Sequence, residues 1–147
     1  RHSNTSIKEG NFVDTKGNVL GRHKGIVNYT IGQRKGLGIA FGKPMFVIDI
    51  NAKNNTVILG DNSDLFQYNL IAKDVNFISI EDIKEPIRVK AKVRYAAKPA
   101  DATVYKVAED KIKIVFDEAQ RAITKGQSVV MYDGDKVVGG GIIESSF

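Results

Sequence analysis

Short apolar segments alternate with turn-forming residues along the chain, which is the pattern of a protein built from strands. β-branched residues crowd the segments, and Gly, Asn and Asp recur between them at short intervals. Residues 12–20 predict a hairpin, and residues 44–50 and 56–60 predict a second pair of antiparallel strands. Residues 69–78 predict further strand.

The alternation is sharpest after the charged segment 81–86, which contains Pro86 and predicts a domain boundary. Apolar and basic residues then alternate over 87–94, so the two kinds of side chain lie on opposite faces of a strand. Further strands are predicted, with a connection at 117–124, over residues 103–107, 111–116, 128–132 and 136–143. Three glycines at 139–141 indicate a bend or a close approach of backbone in the last strand.

The predicted fold is therefore mostly β. A small β-rich domain is expected at residues 1–80, followed by a C-terminal closed β-barrel of about six strands at residues 84–147.

Composition narrows the possible functions. The 147 residues carry a net charge of +5, which fits a polyanionic partner such as nucleic acid. The absence of cysteine excludes disulfides and thiolate chemistry within the chain. The sequence has no long apolar run, no secretory signal and no initial Met, so we expect a cytoplasmic fragment of a longer protein with no membrane association.

A row of four cations is the strongest electrostatic feature. Residues two apart on a strand are about 6.6–6.8 Å apart on one face, so these cations would form a basic ridge able to contact successive phosphates. The alternative is a solvated outer face of the barrel. The ridge consists of Arg88, Lys90, Lys92 and Arg94.

Five other residues are candidates for a functional role or for a purely structural one. Tyr95 follows the ridge and could stack on an unpaired base or belong to the core. Gln120 and Gln127 could bind RNA or be ordinary loop residues. His23, between two cations and without a carboxylate partner in sequence, is expected at the surface or in a turn. Asp133, at the last hairpin, is expected to form a turn.

The glycine-rich stretch at residues 29–38 first suggests a phosphate-binding loop, because glycines allow close approach and Arg34 and Lys35 are cationic. It lacks the spacing of a nucleotide-binding loop and has no acid–base or nucleophilic partner in sequence. A self-contained enzyme is therefore disfavoured, and a tight turn in which Gln33, Arg34 or Lys35 touches RNA is expected instead.

Four motifs, taken in order and spacing, resemble the central and C-terminal domains of the bacterial tRNA-specific 2-thiouridylase family, also called tRNA (5-methylaminomethyl-2-thiouridylate)-methyltransferase. The resemblance covers about residues 10–143. The motifs are Tyr29-Thr30-Ile31-Gly32-Gln33-Arg34-Lys35-Gly36-Leu37-Gly38, Ala91-Lys92-Val93-Arg94-Tyr95, Thr124-Lys125-Gly126-Gln127, and Tyr132-Asp133-Gly134-Asp135 leading to Gly139-Gly140-Gly141-Ile142-Ile143.

The resemblance implies a tRNA-binding role. In the family, an N-terminal ATP-pyrophosphatase domain with a Ser-Gly-Gly-Val-Asp-Ser motif adenylates the wobble uridine, and a cysteine persulfide delivers sulfur. The central domain and the barrel hold the tRNA around its anticodon arm. This chain has neither that motif nor cysteine, so we expect no enzyme activity, no catalytic residue and no metal ligand in it. ATP with Mg²⁺ would belong to the family's N-terminal domain.

The family's tRNA-contacting residues fall on three positions of this sequence, Arg94, Tyr95 and Gln127. Arg88, Lys90 and Lys92, together with Gln33, Arg34 and Lys35, are weaker candidates that rest on charge and position alone. A different class of function, a β-barrel module that docks a sulfur-carrier protein, is the alternative. Binding of that partner without any binding of tRNA would favour it.

Overall fold

The computed structural model describes residues 8–37, 42–94 and 97–147. The chain divides into two compact units, Arg1–Leu65 and Phe66–Phe147. The mostly β fold predicted from the sequence is confirmed.

The first unit contains a four-stranded sheet. Its strands are β1 (Gly10–Val13), β2 (Val19–His23), β3 (Phe46–Asn51) and β4 (Thr56–Gly60), in the order β2-β1-β4-β3. The two predicted hairpins are confirmed, since β1 pairs antiparallel with β2 and β3 with β4. The hairpins are joined by parallel pairing of β1 with β4. Short 3₁₀ turns occupy Ile26–Asn28 and Asn62–Leu65.

The first hairpin is closed by the side chain of Asp14. Its carboxylate accepts hydrogen bonds from the backbone N–H groups of Lys16 and Asn18, each at 2.9 Å, and from Asn18 Nδ2 at 3.0 Å. These bonds, the side-chain bond from Asn18 foremost, hold the pKa of Asp14 below its ordinary value. Gly17 completes the turn at φ 91°, a conformation that favours glycine.

His23 is completely buried, so its predicted position at the surface or in a turn is wrong. Its Nδ1 accepts the Gly25 N–H at 2.9 Å, so the ring proton lies on Nε2, which donates to the Asn55 carbonyl oxygen at 2.7 Å. The rings of Phe12 and Tyr29 pack against the imidazole in T-shaped contacts. His23 therefore joins β2 to the β3–β4 turn inside the apolar core of the first unit.

The second unit is a closed six-stranded barrel in which every neighbouring pair is antiparallel. The strands follow the spatial order β10-β5-β8-β7-β6-β9. They are β5 (Phe66–Phe77), β6 (Ile87–Lys92), β7 (Ala100–Ala108), β8 (Lys111–Arg121), β9 (Ser128–Asp133) and β10 (Lys136–Ser146).

The barrel begins earlier than the expected boundary at 81–86. β5 pairs with both β10 and β8, so residues assigned in sequence to the first domain close the barrel. The segment that looked like a linker packs on the barrel instead. Ile83 lies in its apolar core, and Asp82 forms an ion pair with Lys106 of β7. That hydrogen bond from Lys106 lowers the pKa of Asp82.

Alternation along each strand fills the barrel interior. Val89 and Ala91 of β6 are buried while Arg88 and Lys90 are exposed, as the sequence pattern predicted. The same period of two places Ile112, Ile114 and Phe116 of β8 in the core, along with Leu70 and Ala72 of β5.

β8 continues through Arg121, which corrects the expected connection at 117–124. Its last residues have a partner strand, because Phe66 pairs with Arg121 and Gln67 with Gln120 at the start of β5.

The three glycines of β10 allow backbone to approach backbone, as their spacing in sequence suggested. A Cβ on Gly139 would lie 2.4 Å from the Asn76 carbonyl oxygen of β5. A Cβ on Gly140 would lie 2.7 Å from the Val129 carbonyl oxygen of β9. The ladders on both sides of β10 shift register within this region, so these glycines lie where the barrel wall bends.

Candidate nucleic-acid interface

The predicted ridge lies on the outer face of the barrel, but its first cation, Arg88, forms an ion pair with a carboxylate. The Arg88 guanidinium donates to both carboxylate oxygens of Asp117, at 2.8 and 2.7 Å, and to Thr103 Oγ1 at 2.9 Å. Its hydrogen bond lowers the pKa of Asp117, and the same contact raises the pKa of Arg88. This two-pronged geometry is the strongest form of an arginine–carboxylate pair.

The second ridge cation is paired as well. Lys90 Nζ lies 3.1 Å from Asp101 Oδ1, and the two residues are directly opposite each other in the β6–β7 ladder. Lys92, further along β6, is half-buried. Two of the four ridge cations are therefore compensated by carboxylates on β7 and β8, which leaves the ridge with less uncompensated positive charge than the sequence suggested.

A second basic surface lies at one end of the barrel. β6 and β8 run in the same direction, because both pair antiparallel with β7. The described residues that follow them, 93–94, 97–99 and 122–127, therefore lie at the same end of the barrel. We call this surface the rim and define it by Arg94, Lys98, Arg121, Lys125 and Gln127. Arg94, the last of the four predicted ridge cations, is counted with the rim from here on.

Arg94 is exposed and is held in place at the rim. Its Nη2 donates to the backbone carbonyl oxygen of Arg121, the last residue of β8. The acceptor is neutral, so this bond orients the guanidinium without cancelling its charge. Arg94 thus differs from Arg88, whose acceptors include a carboxylate.

Gln127 is exposed on a tightly held turn. The Gly126 N–H donates to the Ile143 carbonyl oxygen, and the Ile143 N–H donates to the Gln127 carbonyl oxygen, both at 2.8 Å. Gly126 has φ 86° and Ala122 has φ 58°, so the loop adopts left-handed backbone at both ends. The Gln127 amide therefore projects from a fixed backbone, whereas the Gln120 amide donates to the Glu118 carbonyl oxygen at 2.9 Å.

The rim brings together residues that are far apart in sequence. Exposed Arg94 and Lys98 come from one segment, and exposed Lys125 and Gln127 come from the other. Cations attract phosphates, and an amide can both donate to and accept from a base edge. Tyr95, the third residue expected from the family resemblance, lies outside the described residues. Lys98 was missed in sequence, since its position at the rim depends on the pairing of the strands.

Gln33, in the first unit, stabilises its own loop. Its Oε1 accepts the Thr30 N–H at 3.0 Å, and its Nε2 donates to the Lys35 carbonyl oxygen at 2.9 Å. The Val47 N–H of β3 donates to the Gln33 carbonyl oxygen at 2.9 Å, which docks the loop on the sheet. The expected tight turn is present here, with Arg34 and Lys35 exposed on it. Gly38, at the end of the motif, lies outside the described residues.

Neither metal ligands nor a membrane span emerge from the described parts of the chain. Across residues 8–37, 42–94 and 97–147, no group of three or more His, Asp or Glu side chains could hold a metal ion. Over the same ranges, no helix is both long and apolar enough to cross a membrane.

The fold and the rim define a class of protein: a closed β-barrel with cations and an amide at one end, preceded by a smaller β unit. Comparison with known families agrees. Residues 67–143 match the family described as aminomethyltransferase beta-barrel domain, and residues 2–61 match the tRNA methyl transferase PRC-barrel domain. The chain therefore belongs to the family of tRNA-specific 2-thiouridylases, as its motifs indicated.

Relatives with high sequence identity are named as members of this family. The chain is 75% identical over 146 residues to the tRNA-specific 2-thiouridylase MnmA of Clostridioides difficile, an alignment that includes 99% of this chain and 40% of the relative. It is 61% identical over 143 residues to the protein of that name from Acetivibrio thermocellus, with 97% and 40% included. The chain thus spans about two fifths of the length of these curated relatives.

Proposed function

We propose that this chain holds tRNA around its anticodon arm for ATP-dependent 2-thiolation of the wobble uridine by a catalytic domain outside the chain. The observation that carries the proposal is the rim, where Arg94 is fixed by the end of β8 and Gln127 is displayed on a turn fixed to β10. The names of the relatives supply the tRNA and the reaction.

The rim residues would bind different parts of the RNA, because their side chains differ in charge and in hydrogen-bonding groups. Arg94, Lys98 and Lys125 would contact phosphates, which gives affinity without reading sequence. Gln127 can hydrogen-bond a base edge or a ribose hydroxyl, which orients the bound strand. Tyr95 completes the proposed contact set by its place in the motif. The ridge cations Arg88, Lys90 and Lys92, and the loop residues Gln33, Arg34 and Lys35, would add weaker contacts.

The same proposal places ATP with Mg²⁺ in the catalytic domain outside the chain. The sequence contains no nucleotide-binding loop of the Gly-x-x-x-x-Gly-Lys-Ser/Thr type, and the described residues bring no metal-binding cluster together. We therefore assign this chain no catalytic step. Its contribution would be to bind the tRNA and fix the position of the arm that carries the uridine.

Binding of tRNA to the 147-residue chain over a range of salt concentrations tests the proposal. A protein that contacts Z phosphates loses affinity with a log–log slope of roughly −0.7Z to −0.9Z. We expect a slope that corresponds to several phosphates, and tighter binding than a control protein of similar size and net charge shows. Binding no tighter than that of the control would overturn the proposal. Binding of a sulfur-carrier protein without tRNA would favour the alternative function.

The full-length relatives provide a second test that separates binding from chemistry. Arg94→Ala and Gln127→Ala, introduced at the aligned positions, should lower thiolation at limiting tRNA and leave ATP binding unchanged. Unchanged thiolation in both variants at limiting tRNA would show that the rim does not hold the substrate.

A further inference from the structure

Two aromatic side chains are exposed at the beginning of β5. Phe66 is 40% exposed and Tyr68 is 54% exposed, although rings of this size usually contribute to a core. They are two residues apart on one strand, and the register of β5 against β8 shifts between Gln67 and Asn69. We call Phe66 and Tyr68 the β5 aromatic pair.

The β5 aromatic pair lies at the cationic end of the barrel. Phe66 is the register partner of Arg121, whose carbonyl oxygen holds the guanidinium of Arg94. Gln67 is the partner of Gln120 on the next rung. Because β5 runs antiparallel to β8, its first residues emerge where the 122–127 loop begins. The exposed rings and the rim cations therefore belong to one continuous end of the barrel.

Exposed rings beside cations have the chemistry of a single-strand binding surface. The cations hold the phosphate backbone, and aromatic faces stack on bases that have no pairing partner. A fully paired helix keeps its bases stacked inside and offers only phosphates and groove edges to such a surface. The combination thus selects unpaired nucleotides over a duplex.

Exposure alone does not distinguish the β5 aromatic pair. Tyr105 is also 40% exposed, but it lies on the wall of the barrel, where its register partner on β8 is Lys113. It is five residues from Ala100, where β7 begins at the rim end. The difference between Phe66 and Tyr105 is their place relative to the rim, so Tyr105 serves as a control with matched exposure.

We propose that Phe66 and Tyr68 form a stacking platform for unpaired RNA bases whose phosphates are held by the rim cations. This inference rests on the proposed tRNA-binding function and adds to it the class of RNA element that contacts the barrel. A single-stranded loop would lie across the pair, while paired RNA would contact the cations only.

The absence of tryptophan from the chain makes a direct optical test possible. Phe66→Trp introduces one indole at the platform and keeps an aromatic face there. The probes are an RNA stem-loop with a single-stranded loop and a fully paired duplex of the same base composition. Anisotropy of end-labelled RNA measures binding separately. We expect the stem-loop to quench the indole in step with binding, and the duplex to leave its emission nearly unchanged.

Tyr105→Trp is the matched control, and its indole should not respond to either RNA. Stem-loop binding that leaves the emission of Phe66→Trp unchanged, or that quenches both variants equally, would overturn the platform and leave tRNA binding intact. That result would favour a protein partner for the exposed rings. A wild-type chain that binds neither RNA would overturn the platform and the proposed function together.

Removal of the rings gives an independent readout. Phe66→Ala combined with Tyr68→Ala should weaken stem-loop binding on the order of tenfold or more, given typical base–aromatic stacking energies. Duplex binding should change by less than about twofold, because the phosphate contacts remain. Tyr105→Ala should alter neither affinity. Equal losses for stem-loop and duplex would contradict the platform, provided that circular dichroism shows the double variant folded.

Discussion

The ridge and the rim are both basic in sequence, but two ridge cations meet carboxylates, whereas Arg94 of the rim meets a neutral backbone oxygen. Arg88 and Lys90 face Asp117 and Asp101 across neighbouring strands. Arg94 instead donates to a backbone carbonyl oxygen. A row of cations on one strand therefore says little about the local potential until the residues on the adjacent strands are known.

Because Arg94 keeps its charge and the ridge cations Arg88 and Lys90 are paired, we expect charge at the rim to matter more for RNA binding than charge on the ridge. Arg94→Gln should weaken tRNA binding roughly tenfold or more, as expected for loss of a charged hydrogen bond to RNA. The ridge control removes an ion pair as a unit, Arg88→Gln with Asp117→Asn, and should change affinity by less than about twofold. Filter binding measures both affinities. Equal losses of affinity in the two variants would show that the rim and the ridge contribute equally to tRNA binding.

Gln127 should have a smaller effect, because it offers a neutral amide and no charge. Gln127→Ala should weaken tRNA binding by about three- to tenfold, the usual loss of one neutral hydrogen bond. The slope of affinity against salt should stay the same, since no phosphate contact is lost. A reduced slope would show that the substitution displaced the rim cations. Gln120→Ala, just before the 122–127 loop, is the control and should not change the affinity, because the Gln120 amide donates to the Glu118 carbonyl oxygen.

The ridge should gain affinity when its carboxylates are removed. Asp117→Asn and Asp101→Asn leave Arg88 and Lys90 uncompensated, so tRNA binding should strengthen by about two- to threefold at low salt. Asp74→Asn removes one exposed carboxylate from β5, which lies across the barrel from β6. An equal gain from Asp74→Asn and from either ridge substitution would mean that net charge, rather than the ridge, produces the effect.

The smallest expected effect is on stability. Because the hydrogen bond from Arg88 lowers the pKa of Asp117 in the folded state, the pair stabilises the fold above the ordinary aspartate value of 3.8. This contribution is lost as the pH falls through the lowered pKa. Asp117→Asn should therefore lower the urea midpoint slightly at pH 7, and the difference from wild type should vanish in strong acid. A difference in urea midpoint that persists in strong acid would show that the substitution acts through packing rather than through the ion pair.

Local patterns predicted much of the fold. Both hairpins of the first unit, the alternation of β6 and the closing hairpin of the barrel follow from neighbours in sequence. The membership of β5 in the barrel could not be found in this way, because its partners β8 and β10 lie far along the chain. The boundary was misplaced for the same reason: Ile83 is buried by residues from several strands.

The candidate site was only partly predictable. The motifs pointed to Arg94 and Gln127, and the pairing of strands supplied the reason that they share one end of the barrel. The partners of Arg88 and Lys90 were hidden, because cross-strand register decides which carboxylate meets which cation. The burial of His23 could have been predicted from its neighbours. Cations precede and follow it, and alternation along β2 then places its side chain on the opposite face, toward the core.

The salt dependence of tRNA binding tests the central claim most directly, because it counts phosphate contacts. The rim variant Arg94→Gln with Lys98→Gln removes two cations, and the ridge variant removes two ion pairs, Arg88→Gln with Asp117→Asn and Lys90→Gln with Asp101→Asn. We expect the rim variant to reduce the log–log slope by roughly 1.4–1.8 and the ridge variant to change it much less, because the ridge cations that it removes are already paired with carboxylates. A slope reduced by the ridge variant and unaffected by the rim variant would contradict the account.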